Sequence, residues 1–397
     1  MRHHEASPTL IIILLCLISS AGRFVIDSYL PSLPDIQYEL ILDDALTQMT
    51  LTIYLLGLGI SQLFYGPLAD HFGRRKILLL GMAIFFIGNV LCANADSGST
   101  LLWARLIAGV GAGACGVLNR VIASDYFEGP AFAKAWSYTT TALVLTLIFA
   151  PLIGGYIQEW RGWSGNFTAC SLFIAGVLAI TWHFLPETHP HLGEHRIGLK
   201  KIFHHYAKAL ASLSFLLPTF AYMFAFSGLI AYFQISPLLL INQYNWTPVQ
   251  YGWSSLAIAL SYLLGGTIIQ RWGHSVGIRP MLQIGLWLGL LGGILLLFIA
   301  KLNVNTGWPI VICASIYVLG ARLVIPNASA LAMGYSVVPK GCAAALVGAI
   351  QMLGSMALGA LIAQFKTDTA APLAIFFISV SGLALTFYLL QKIFHST

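Results

Sequence analysis

A chain of 397 residues with 58% hydrophobic and only 9% charged side chains has too little charge to cover a water-soluble globule of its size. Its mean hydropathy of +0.82 and pI near 9.0 go with a net charge of +6, but the cations sit in short loops beside apolar runs. That is the positive-inside pattern of a membrane protein rather than a nucleic-acid-binding surface.

The apolar runs recur at the length of about 20 residues that crosses hydrocarbon. In chain order they predict twelve helices at approximately 8–30, 46–68, 76–95, 100–124, 132–157, 164–185, 211–234, 249–270, 279–300, 307–331, 340–364 and 370–392. The expected fold class is therefore an all-α membrane protein. Ser19, Ser20 and Ala21 resemble a signal-peptide cleavage site. Cutting there would remove the start of a helix that continues through Phe24, Val25 and Ile26, so the segment is read as the first span.

An even number of spans puts both termini on one side. Assigning that side to the cytoplasm gives it fourteen cations: Arg2, Arg74, Arg75, Lys76, Arg120, Lys134, Arg196, Lys200, Lys201, Lys208, Arg271, Arg279, Lys340 and Lys392. The outer loops keep only Arg161, Lys301 and Lys366. This bias decides the orientation. Asp35, Glu39, Asp43 and Asp44 then fall in the first outer loop. The six cysteines, Cys16, Cys92, Cys115, Cys170, Cys313 and Cys342, lack metal-ligand spacing and read as small buried hydrophobes.

One long inner connection, from Pro186 through His189, His191, His195, Lys200, Lys201, His204 and His205, divides the chain. The expected organisation is a six-helix bundle over 1–185, a linker over 186–210 and a second bundle over 211–397. A basic juxtamembrane linker on an anionic leaflet explains its composition without metal. Gly66, Phe72 and Gly73 match Gly266, Trp272 and Gly273 at an offset of 200 residues, with Gln270 where Asp70 stands. A repeat of this kind is what duplication of one six-helix unit predicts.

The most specific stretch runs from Gly66 to Lys76, with the spacing G-x-L-x-D-x-x-G-R-R-K. Its glycines permit close backbone approach, Asp70 is placed to face a neighbouring helix N-terminus, and Arg74, Arg75 and Lys76 anchor the turn on the inner side. This loop resembles the one between helices 2 and 3 of the major facilitator superfamily of secondary transporters. That resemblance implies two pseudo-symmetric six-helix bundles. Asp27 followed by Ser28-Tyr29-Leu30-Pro31-Ser32-Leu33-Pro34 resembles, more narrowly, the helix 1 exit of the bicyclomycin/chloramphenicol-resistance (Bcr/CflA-type) branch of the drug:proton antiporters.

Charged groups inside the bilayer are costly and mark functional positions. Arg23 and Asp27 share a face of the first helix, Arg105 lies in the fourth and Arg322 in the tenth. Asp27 is the one carboxylate predicted inside a span. It is expected to carry the proton, with Arg105 as its partner in coupling; the alternative is a fixed ion pair with Arg23 or Arg105. Arg105 opens a small-residue run through Ala108, Gly109, Gly111 and Gly113 that resembles the family's helix 4 motif, with Ala108 where glutamine is usual. Arg120 and Asp125 resemble a gating ion-pair region of the family. Pro151, Gly154 and Gly155 resemble its antiporter motif, although Thr146 and Ala150 replace two of the glycines. Arg23, Tyr54, Tyr222, Tyr232, Gln234, Trp287, Arg322 and Gln351 are the side chains expected to line a substrate cavity.

The resemblance implies a proton-coupled exporter of small, chemically varied drugs, working by alternating access as a monomer in a bacterial inner membrane. No cofactor, metal or nucleic acid is expected. A second transport reading is a carrier for an anionic metabolite or a siderophore-like chelator, since three intramembrane arginines face one aspartate. An enzyme or receptor is the rival class. His191 to His195 fits H-x-x-E-H but is broken by Gly193, and Gly273 to Gly277 fits G-x-S-x-G but joins two membrane helices where a nucleophile elbow needs a strand.

Overall fold

The computed structural model describes residues 7–188, 199–302 and 306–394, all helices and turns with no strand among them. The expected H-x-x-E-H histidines and Arg196 lie outside the described residues. Among the described residues, eleven helices are long and apolar enough to cross a membrane. One of them, α6 (Gly129–Phe184), contains 56 residues and breaks helical geometry at Gly162, with φ 70° and ψ −174°. The chain reverses there, because Asn166 Nδ2 donates to the carbonyl of Gly154 at 3.0 Å, twelve residues back. In a straight helix they would stand about 18 Å apart. The two arms of α6 therefore make two crossings, which brings the total to twelve.

Two compact units form: Met1–Ile41 with Ile53–Leu199, and Leu42–Thr52 with Lys200–Thr397. The first contains α1 (Pro8–Ser28), α2 (Leu33–Glu39), most of α3 (Asp44–Phe72), α4 (Arg74–Ala93), α5 (Gly98–Tyr126) and α6. The second contains α7 (Leu199–Leu210), α8 (Leu213–Pro237), α9 (Pro248–Val276), α10 (Ile278–Lys301), α11 (Trp308–Gly334), α12 (Lys340–Ile362) and α13 (Ala371–Phe394). Start signals are local. Ser7 caps α1 through Leu10 N at 3.3 Å ahead of Pro8, and Thr247 and Gln250 form a reciprocal capping box on α9. Within the expected linker, α7 buries Ala209 in a cluster with Phe215, Ala332, Leu346 and Val347.

The units repeat one another, in a register that differs from the letter match. α3 and α9 are each 29 residues long, and α4 and α10 begin at Arg74 and Ile278, which sets the offset at 204 residues rather than 200. The counterpart of Gly73 is thus Gly277. Both have positive φ, 101° and 86°, and both sit at a helix break where a side chain would be strained. Gly273 is an ordinary helical residue inside α9, and its carbonyl accepts from Gly277 N at 3.0 Å.

Close crossings repeat in the same register. A Cβ on Gly88 of α4 would stand 2.6 Å from Ala108 Cα of α5, and one on Gly292 of α10 would stand 2.9 Å from Tyr317 N of α11. Small residues here let two backbones touch, the usual way that membrane helices gain packing in a solvent as apolar as themselves. The glycine run after Arg105 serves two such crossings: Gly111 packs against Phe85 of α4, whereas Gly109 and Gly113 pack against Tyr54 and Ser61 of α3.

Candidate functional site

Asp27, near the end of α1, is fully buried. Its Oδ2 accepts from Arg23 Nε at 2.5 Å, one turn earlier on the same face, while Oδ1 has no hydrogen-bond partner. A buried carboxylate with one committed oxygen and one open one is a high-energy arrangement. Arg105, also fully buried, lies within a cage of aromatic faces: Tyr29 at 4.2 Å, Tyr54 at 4.4 Å and Phe167 at 5.7 Å from the guanidinium carbon. Cation–π attraction replaces part of the hydration that this arginine loses.

The arms of α6 hold this end of α1 in place. Gly154 passes so close to Ser28 that a Cβ would stand 2.7 Å from its backbone carbonyl carbon. From the second arm Cys170 meets Ser28 Oγ at 3.3 Å, and Asn166 donates to Ser32 Oγ at 2.6 Å. Pro151 and Gly155 are buried on the first arm beside this contact. Asp27 and the Pro151–Gly155 stretch are therefore neighbours across one helix crossing.

The inner turn is a second cluster in the same unit. Arg74 pairs with Asp70 within the loop and, through Nε at 3.1 Å, with Asp125 at the end of α5. Arg120 stands over the Trp136 ring at 5.7 Å. The N-terminus of α4 is taken by Glu187, whose Oε1 accepts from Arg74 N at 2.8 Å, while Asp70, expected to face a neighbouring helix N-terminus, pairs with the Arg74 side chain. The reason is geometric: Asp70 lies in the last turn of α3, four residues before Arg74, and reaches its guanidinium sooner than any free helix end. A Cβ on Gly66 would meet nothing closer than Val117 Cγ1, at 4.0 Å.

In the second unit Arg322 of α11 lies against Gly265 and Gly266 of α9, donates to Tyr262 Oη at 3.3 Å and stands over that ring at 4.6 Å. Its Nε is buried without a partner. Gln234 is fully buried on α8 and donates to Thr52 Oγ1 at 2.6 Å. Tyr232 and Gln351 are buried, and Tyr222 packs partly buried beside Phe215. Trp287 does not belong with them. It is 56% exposed and stands on the stripe formed by Ile284, Leu291, Ile294 and Phe298, opposite the glycine face that packs α10 into its unit. The expected cavity position of Trp287 is therefore corrected to a bilayer-facing one.

Sequence reasoning passed over Glu187, Tyr262, Asn166 and the cage residues Tyr29 and Phe167. Glu187 did leave a signal. α4 opens on Gly73-Arg74-Arg75-Lys76 with no acidic residue in its first turn and no side-chain cap of its own. A basic, uncapped helix start calls for an anion from elsewhere in the chain.

The sequence profile of the Major Facilitator Superfamily matches residues 12–363. The chain belongs to this superfamily. A bicyclomycin resistance protein homolog of Haemophilus influenzae is 28% identical over 371 residues, covering 94% of this chain and 93% of the relative. Multidrug resistance protein D of Escherichia coli is 27% identical over 379 residues, covering 89% and 88%. A solved POT family transporter superposes with a TM-score of 0.76 over 97% of this chain and 96% of its own, at 15% identity, which speaks for the fold alone. As a major facilitator transporter, the protein moves small molecules across a membrane and is not an enzyme.

Proposed function

We propose that this major facilitator protein is a drug:proton antiporter of a bacterial inner membrane, exporting small molecules by alternating access, with both termini cytoplasmic and the monomer as the working form. Asp27 carries the reading. Its buried carboxylate keeps one oxygen on Arg23 and leaves the other open to a proton, and the Arg105 cage adds positive charge in the same unit. The names of the bicyclomycin and multidrug resistance relatives support drugs as the substrate class. Residues 1–185 and 211–397 serve as the two moving bundles, with 186–210 as their tether. Asp70, Arg74 and Asp125 lock the inner turn.

Asp27→Asn tests the assignment. The substitution removes the titratable group and nearly keeps its shape, so ligand binding to purified protein survives while substrate accumulation in vesicles with an imposed pH gradient fails. Uphill accumulation equal to wild type would move the coupling to another group. A second reading, transport of an anionic metabolite or chelator, is favoured by the unpartnered Nε of Arg322.

A further inference from the structure

Between α4 and the second arm of α6, wholly within the first unit, runs a groove of about 860 Å³ that none of the roles above employs. Arg75, Lys76 and His183 line one end. From there Leu79, Ala83 and Phe86 on one wall and Ala175 and Leu178 on the other give an apolar trough. From Arg75 to Phe86 the groove extends about 16 Å along α4, roughly half of the ~30 Å hydrocarbon core. Its length is that of one leaflet.

The cationic end keeps donors to spare, although the Arg75 guanidinium also stands over the Trp182 ring at 5.8 Å. Arg75 donates through a terminal nitrogen to the Trp182 carbonyl at 2.5 Å, but its Nε is buried without a partner. Lys76 and His183 are exposed. Glu187 accepts from the backbone N–H groups of Arg74 and Arg75, and no acidic side chain lines the groove among the described residues. Trp182, 64% exposed at the same level, is the aromatic expected where headgroups meet hydrocarbon.

We infer that this groove is a binding site for one anionic phospholipid of the leaflet on the Gly73 side, its phosphate on Arg75, Lys76 and His183 and an acyl chain along the trough between α4 and α6. Charge at one end and apolar walls over the depth of a leaflet fit a lipid better than a compact polar solute. Arginine and lysine supply, respectively, a fork and a point charge for phosphate.

Native mass spectrometry tests this on full-length protein released from nanodiscs holding equal phosphatidylglycerol and phosphatidylcholine with the same acyl chains. Both leaflets are alike in the disc, so the result is independent of the orientation and coupling proposed above. Wild type is expected to retain phosphatidylglycerol over phosphatidylcholine by about tenfold, as two or three basic groups at a headgroup permit. The Lys76→Gln, His183→Gln pair, which leaves Arg75 alone at the headgroup, should lower that preference severalfold. Lys76→Arg with His183→Lys, which keeps the charge, should preserve it. Ala179→Trp, which fills the trough from the α6 side, should reduce retention of both lipids. Absence of preference in wild type, an unchanged preference in the Gln pair, or undiminished retention in Ala179→Trp overturns the proposal. Displacement of the lipid by millimolar inorganic phosphate would also overturn it, in favour of a free-anion site.

Discussion

The carboxylate of Glu187 accepts the backbone N–H of Arg74 at 2.8 Å across 113 residues of sequence, so the end of the first unit's last span caps the start of its third. An anion at a helix N-terminus satisfies orphan donors and the positive end of the helix dipole. Gly73, with φ 101°, makes room: a Cβ there would stand 2.5 Å from Glu187 Oε2.

Glu187→Ala should therefore lower stability by about 1 kcal/mol, the usual cost of losing a cap. Gly73→Ala should cost about 1–2 kcal/mol from backbone strain, plus the clash with Glu187. In the Glu187→Ala background the clash is gone, so the double variant should be more stable than the two losses added. Thermal unfolding of the four purified proteins checks this; strict additivity would deny the contact. Flux at equal membrane abundance should fall in both single variants and in Asp70→Asn, which loses its ion pair to Arg74.

Gly277→Ala should destabilise by about 1–2 kcal/mol, because φ 86° suits glycine. Gly273→Ala should be neutral or stabilising by up to ~1 kcal/mol, since its site is helical and its nearest contact is Ile269 at 3.5 Å. The reverse order of unfolding temperatures would restore the 200-residue register.

Gly154→Ala should push α1 away from α6 at Ser28, costing about 1–3 kcal/mol as an overpacked contact and impairing transport through the displaced Asp27. Gly176→Ala on the other arm meets nothing within 4 Å and serves as the control. Equal melting temperatures and equal flux for the two variants would remove the α1–α6 crossing from the mechanism.

Arg322→Ala should weaken anionic substrates more than cationic ones by about tenfold, the scale of a single charge-assisted hydrogen bond. Competition by a matched series of anionic and cationic compounds is the measurement. A parallel loss for all of them, tracking protein abundance, makes Arg322 a packing residue.

Span number and the inner loop were legible because each rests on local composition: apolar length for the spans, and glycine and charge spacing for the turn from Gly66 to Lys76. Asp27 with Arg23 was legible from helical spacing alone. What the sequence hid were contacts across helices. Arg105 sits among Tyr29, Tyr54 and Phe167 because three segments far apart in the chain converge, and no spacing rule encodes that. Trp287 was misplaced because an aromatic in an apolar helix looks the same whether it faces lipid or protein; only the glycine face of α10 separates the two. The repeat was misregistered because identical letters, Gly73 and Gly273, outweighed equivalent backbone geometry.

Gly162 leaves one residue of non-helical chain between two spans, with no neighbour within 4 Å of where its side chain would be. Such a turn offers a protease no extended substrate and an antibody no loop to grip. An epitope tag placed there would have to carry its own linkers on both sides. During synthesis the first arm of α6 has almost no tail with which to wait on the far side of the bilayer, so the two arms enter as one hairpin, and a polar substitution in either arm should impede the insertion of both.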